Sequence, residues 1–167
     1  THAYILFFTD KGKVYSTRVF EIPEGSRVSK GRAAVNLIPI SADERITAAV
    51  CVKSFESETT AGKSNEEFLL MCTKHGIVKK TALSKYSDIR KSGIIGIKLN
   101  PGDALIDVKH TDGNSEVVIA TRFGKAIRFK EKDIRATDRA TVGVRGIRFG
   151  KAGDEVVGIE ALTSKDI

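Results

Sequence analysis

The sequence predicts an all-β, propeller-like array of four-stranded blades. Three observations predict it: a pattern that occurs three times in the same order, apolar runs with the two-residue period of strands, and the absence of any sustained 3.6-residue apolar period. The chain has 167 residues, 28 Lys and Arg against 21 Asp and Glu, and a formal net charge of +7. With 41% hydrophobic residues it has the material for a core, and its longest apolar runs, Ile5 to Phe8 and Phe68 to Met71, are far too short to span a bilayer.

Each repeat opens with an apolar run ending in Thr-x-x-Gly: Tyr4 to Gly12, Leu69 to Gly76 and Val118 to Gly124. The triplet Asp10-Lys11-Gly12 and its equivalents read as hairpin turns, glycine supplying the positive φ that a tight turn requires. A strand follows: Val14, Ser16, Arg18 and Phe20 alternate with Tyr15, Thr17 and Val19. The second shared element comes 17 to 19 residues after the glycine, as Gly31 to Leu37, Gly93 to Leu99 and Gly143 to Phe149. An acidic turn then precedes another apolar run: Asp43-Glu44 before Ile46, Asp103 before Leu105, Asp154-Glu155 before Val156. Asp112-Gly113-Asn114 marks a further hairpin.

On this frame the blades run 3–45, 46–103 and 104–154, and 155–167 starts the next blade. The spacing from Gly12 to Gly76 is 64 residues, that from Gly76 to Gly124 is 48, and the surplus centres on the polar stretch 53–67, read as a protruding loop. A propeller closes with four to eight blades, so three repeats amount to about half a disc, and its bare edges invite self-association. The expected contact joins the closing strand, Glu155 to Ala161, to Tyr4–Phe8 within one chain or between two.

The charge follows the repeat. Residues 11–32 carry a net +4, residues 74–98 and 122–148 +6 each, 53–67 −2, and the remainder −7. The basic segments are the same part of each repeat, the third strand and the loop after it, so in a bladed array they form a band along one rim. Such a band suits a phosphate backbone, which is bound by charge and deformability without base contacts. Aromatic residues make up 7% and Trp is absent, which favours duplex over stacked single strands. The expected phosphate contacts are Lys13, Arg18, Arg27, Lys30 and Arg32 in the first repeat. In the second they are Lys79, Lys80, Arg90 and Lys91, and in the third Lys125, Arg128, Arg139, Arg145 and Arg148.

Catalytic and metal chemistry is not legible. Gly62-Lys63-Ser64 resembles the end of a P-loop, but position 57 is Ser and no helical pattern follows. Gly93-x-x-Gly96 and Gly143-x-x-Gly146 precede strands, unlike the loop of KH domains. His2, His75 and His110 have no ligand partners at metal spacing. Cys51 and Cys72 cannot make a disulfide framework and read as small core residues. No nucleophile elbow occurs, and Tyr4 and Tyr15 lie in strand patterns. No metal or catalytic residue is assigned.

The runs Leu6 to Gly12, Phe20-Glu-Ile-Pro-Glu-Gly25, Ser29-Lys-Gly-Arg-Ala33 with Val35-Asn-Leu37, and Gly143 to Arg148 resemble the C-terminal domain of DNA gyrase A, in the type II topoisomerase family. The resemblance covers essentially the whole chain. It implies a six-bladed β-pinwheel whose blades exchange strands, with about three of the six blades present, and a non-catalytic domain that wraps double-stranded DNA around a basic rim. It implies as partners the rest of gyrase A, together with gyrase B, in an A2B2 assembly in the bacterial cytoplasm at the nucleoid. No cofactor is implied for this segment; the parent complex uses ATP and Mg for negative supercoiling. The family's Gln-Arg-Arg-Gly-Gly-Lys-Gly-like box matches none of Ser26–Gly31, Asp88–Gly93 or Ala136–Gly143, which puts it before Thr1 in the repeat frame. The alternatives are the related C-terminal domain of topoisomerase IV, a propeller scaffold for protein partners, and an enzyme built on a propeller, the last disfavoured by the missing catalytic constellation.

Overall fold

The computed structural model describes residues 2–56, 58–60 and 63–167. Each Thr-x-x-Gly turn joins two antiparallel strands, as its composition predicts: β1 (Tyr4–Thr9) with β2 (Lys13–Arg18). After β3 (Ile46–Val52) comes a short hairpin, β4 (Glu58–Thr60) and β5 (Lys63–Asn65). The second repeat supplies β6 (Phe68–Thr73), β7 (Ile77–Ala82), β8 (Ile94–Ile95) and β9 (Leu105–Thr111). The third supplies β10 (Glu116–Thr121), β11 (Ala126–Lys130), β12 (Val144–Arg145) and β13 (Val156–Leu162). The described residues contain no α-helix, only single 3-10 turns, three of which directly follow β2, β7 and β11. Gly12, Gly76 and Gly124 turn the three hairpins with φ of +79°, +83° and +81°.

Three sheets result, ordered β3-β1-β2-β8, β9-β6-β7-β12 and β13-β10-β11. The fourth strand of the first two comes from the following repeat, so blades exchange strands: β8 pairs with β2, and β12 with β7. β3 packs beside β9 and β9 beside β13, so the sheets radiate from these strands, and the exchanged strands lie outermost.

This pairing corrects the blade limits read from the sequence. The apolar run after each acidic turn closes its own repeat's sheet: Leu6 faces Val50, and Ile119 faces Ile159. Residues 155–167 therefore complete the third sheet and start no new blade, and 46–52 belongs with the first. The expected contact of the closing strand with Tyr4–Phe8 is likewise overturned. β1 already has β2 and β3 on its two edges, and β13 is taken by β10. A strand has two edges, and local sequence does not tell which neighbour fills each.

Within the polar insertion, β4 and β5 form a two-stranded sheet apart from the other three. Ser57, Ala61 and Gly62, with them the glycine of the P-loop-like run, lie outside the described residues.

β6 is buried on both faces, which explains its unbroken apolar run. Leu69 and Met71 join Leu6, Phe8, Val50 and Leu105 in a core between the first two sheets. Leu70 and Cys72 join Val117, Ile119, Val156 and Ile159 in a core between the second and third.

Candidate nucleic-acid interface

An acid from each acidic turn anchors its hairpin. Glu44 accepts hydrogen bonds from Thr9 Oγ1 (3.2 Å), Tyr15 Oη (2.9 Å) and the Ser41 N–H (2.9 Å). Asp103 accepts from Thr73 Oγ1 (2.6 Å) and the His75 N–H (2.9 Å). Asp154 accepts from the Phe123 and Glu155 N–H groups (3.0 and 2.9 Å). Burial pushes the Glu44 carboxyl up, but its hydrogen bonds outweigh this and hold it below the ordinary carboxylate value. Burial, reinforced by the Glu44 charge and hydrogen bond, pushes Tyr15 up to about 12. The sequence signal was present, since the acidic turn recurs, but its pairing with the Thr of Thr-x-x-Gly is visible only in three dimensions.

These clamps fix the strands from which the basic loops depart. β7 lies in the second sheet and β8 in the first, so residues 83–93 cross between blades on the outer side, and 131–143 cross likewise from β11 to β12. Lys85 pairs with Asp138 at 3.0 Å, tying the two crossings together. Residues 19–33 leave the first sheet in the same way.

The expected contacts divide by environment. Arg27, Lys30 and Arg32 on the first loop, Arg90 and Lys91 on the second, and Lys125, Arg145 and Arg148 in the third repeat are exposed and make no ion pair among the described residues. Lys132 and Arg135, passed over in the sequence although they lie in the same basic segment, share that state. Lys13 and Arg139 are half-buried, the latter's Nη1 donating to the Ile95 carbonyl at 3.4 Å. Arg18 covers the Tyr4 ring at 4.0 Å and donates to the His2 carbonyl. Arg128 is exposed but engaged with Glu116 at 3.0 Å across the β10–β11 ladder.

Lys79 and Lys80 are corrections. β7 is covered on both faces, leaving them 1% and 7% exposed. Lys79 Nζ donates to the Gly96 carbonyl at 2.9 Å and to the Arg139 carbonyl, and Lys80 Nζ to the Glu131 carbonyl at 3.3 Å while lying 4.9 Å from the Phe68 ring. Burial, aided by Arg139, lowers Lys79 to about 8. Both lysines cement blades together and cannot meet a phosphate without unfolding β7. Cys51 is a further correction: it is exposed, because the strand period turns it away from Val50 and Val52. Cys72 is a core residue as expected, its thiol pushed up to about 12 by burial, with Asp103 and Asp107 adding to the shift.

The described residues carry no helix long and apolar enough to cross a membrane. The family model described as DNA gyrase C-terminal domain, beta-propeller, matches residues 3–53, 67–112 and 115–163. The chain is 45% identical over 146 residues, 87% of its length, to the DNA gyrase A of Clostridium acetobutylicum. It is 44% identical over 159 residues, 95% of its length, to that of Escherichia coli. It spans 17% of each of these relatives. Among solved structures, the C-terminal domain of DNA topoisomerase IV superposes with a TM-score of 0.84 at 34% identity, over 99% of this chain and 49% of that one. The DNA gyrase A C-terminal domain superposes with a TM-score of 0.74 at 26% identity, over 96% of this chain and 48% of that one.

Proposed function

The chain belongs to the DNA gyrase C-terminal domain family, and on that premise we propose that it binds and wraps duplex DNA along its outer rim as part of gyrase A. The observation that carries this reading is the set of cations that are exposed and without an ion pair among the described residues, on the loop that crosses from β7 to β8 and at the exchanged strand β12 and just after it, above all Arg90, Lys91, Arg145 and Arg148. Such cations keep their full charge for phosphates, whereas buried or ion-paired ones do not. Within the complete enzyme the domain contributes no catalytic residue. Joined to the rest of gyrase A and to gyrase B, in the bacterial cytoplasm, it presents a DNA crossing for ATP-dependent strand passage and negative supercoiling. Titrating duplex binding against salt tests this reading. Contact with about six to ten phosphates gives a log–log slope near −5 to −9; weak binding with a flat slope would favour a protein-interaction scaffold.

The superposition with the topoisomerase IV domain, at a TM-score of 0.84, favours a second reading, that this chain is a topoisomerase IV C-terminal domain, for which we propose docking on DNA without wrapping. Relaxed circular DNA sealed by ligase in the presence of the chain separates the two. A shift toward positive linking number supports wrapping, and intact binding without a shift supports docking alone.

A further inference from the structure

Lys85 and Asp138 meet at 3.0 Å, one on the crossing 83–93 and the other on the crossing 131–143. The backbone is fixed at both ends of the pair. Lys85 stands in the 3-10 turn Leu83–Tyr86, whose Leu83 and Tyr86 side chains are buried, and Tyr86 Oη donates to the Gly96 carbonyl at 3.1 Å. Thr141 Oγ1 donates to the Asp138 carbonyl at 2.6 Å, and the Thr137 N–H donates to the Lys80 carbonyl at 2.9 Å. Arg139 is held by the Lys79 ammonium on its carbonyl and by its own Nη1 on the Ile95 carbonyl. An exposed ion pair is ordinarily weak because two mobile side chains must be ordered to make it. Here the backbone under each side chain is already ordered by contacts with the first and second sheets.

The pair belongs to one junction and not to the repeat. Lys85 comes nine residues after Gly76, whereas the residues nine after Gly12 and Gly124 are the acids Glu21 and Asp133. Asp138 comes five residues before Gly143, and five before Gly93 stands Asp88. At the junction of the first two repeats an acid thus fills the place of Lys85. Glu21 accepts from Thr17 Oγ1 at 2.7 Å within its own repeat, and Asp88 makes no ion pair among the described residues. That junction forms without the tie, since β8 completes the first sheet as β12 completes the second. The fold therefore does not require a cation at position 85 or its partner at 138.

The surroundings of the pair are basic. Arg90 and Lys91 on the same crossing as Lys85, and Lys132 and Arg135 on that of Asp138, are exposed and have no ion pair among the described residues. Lys85 lies on the rim but its charge is engaged. Were it to leave Asp138 for a phosphate, a bare carboxylate, 73% exposed, would remain beside a polyanion. That repulsion opposes the exchange. On the reading that the outer rim binds duplex DNA, we propose that Asp138 limits the affinity of the rim by withholding Lys85 from the phosphates. The same pair holds the two crossings, and the cations they carry, side by side.

Salt titration of duplex binding at pH 7, with the 167-residue chain and its variants, tests this. Asp138→Asn releases Lys85. Affinity rises and the log–log slope steepens by about 0.9, which makes the gain about 3.5-fold larger at 50 than at 200 mM salt. A chain that has merely lost stability does not bind more tightly, so damage to the fold does not imitate this result. Lys85→Met leaves the slope at the parent's value, because Lys85 makes no phosphate contact there. Combining Lys85→Met with Asp138→Asn returns the slope to that value. Asp88→Asn removes an exposed acid from the crossing of Lys85 with no paired cation to release, and the slope does not change. An unchanged slope in Asp138→Asn, a flattened slope in Lys85→Met, steepening that persists without Lys85, or equal steepening by Asp88→Asn would overturn the role of Asp138 while leaving rim binding intact. A flat slope in the parent chain would overturn both.

Discussion

Lys79 Nζ reaches 2.9 Å from the Gly96 carbonyl, bridging β7 of the second sheet to the segment that completes the first. The contact joins adjacent blades at a point where both the cation and its acceptor are buried. A cation so placed is a stability element whose charge is strained by desolvation.

That strain gives a pH signature. Lys79 titrates at about 8 when folded, against an ordinary value of 10.5. Between these values the unfolded chain holds a proton the folded chain has released, so the free energy of unfolding rises with pH, by at most about 1.4 kcal/mol per unit. Below about 8 both states are protonated and the slope vanishes. Above 10 the gain is opposed, because Tyr15 stays protonated to about 12 in the fold while the unfolded phenol ionises. Urea denaturation from pH 7.5 to 9.5 reads this rise, and Lys79→Met abolishes it.

Glu44 gives a slope of the same sign, in the acid range. Glu44 is held below its ordinary value in the fold, so its stabilising contribution is present at neutral pH and is lost as pH falls through the folded value. Glu44→Gln lowers stability at pH 7 by about 1–3 kcal/mol through lost charged hydrogen bonds and makes the acid limb of the melting curve shallower. Asp103→Asn, which weakens the bond from Thr73, has an effect of similar size at pH 7.

Removing rim charge weakens duplex binding. Converting Arg90, Lys91, Arg145 and Arg148 to Glu lowers affinity at moderate salt and flattens the salt slope by about 0.9 for each phosphate no longer neutralised. Arg128→Ala has a smaller effect, because that guanidinium already faces Glu116. Lys80→Met shows its effect in the melting temperature, since Nζ is held against Glu131 and Phe68. Fluorescence anisotropy with a labelled duplex, alongside thermal melts, separates these outcomes.

The turn glycines isolate the role of the exchanged strand. Gly12→Ala and Gly124→Ala force alanine to nearly the same positive φ, +79° and +81°, at a similar backbone cost of about 1–2 kcal/mol. Only at Gly12 does the new methyl also meet the Ile97 carbonyl, at 2.6 Å. Gly12→Ala is therefore the more destabilising by about 1–3 kcal/mol, as chemical denaturation reads out.

The triple pattern, the hairpin turns and the scarcity of helix were legible in the residues, because turn chemistry and strand period act over a few positions. The basic segments were legible for the same reason, as was their recurrence in one part of each repeat. The solvent exposure of each cation was not. Lys79 and Lys80 stand in a strand whose two faces are covered by neighbouring blades, and nothing within Ile77–Ala82 announces that cover. The sheet to which each strand belongs was equally hidden: Val156–Leu162 follows an acidic turn, as Ile46–Val52 does, and its partner lies some forty residues back in β10. By itself, then, the sequence determined the repeating unit and the sign and register of its charge, which depend on near neighbours along the chain. Only the tertiary structure decided which strands complete which sheet and which cations are spent on carbonyls between blades. Those outcomes depend on contacts between residues far apart in the chain, where burial and hydrogen bonding are settled by whichever surface arrives.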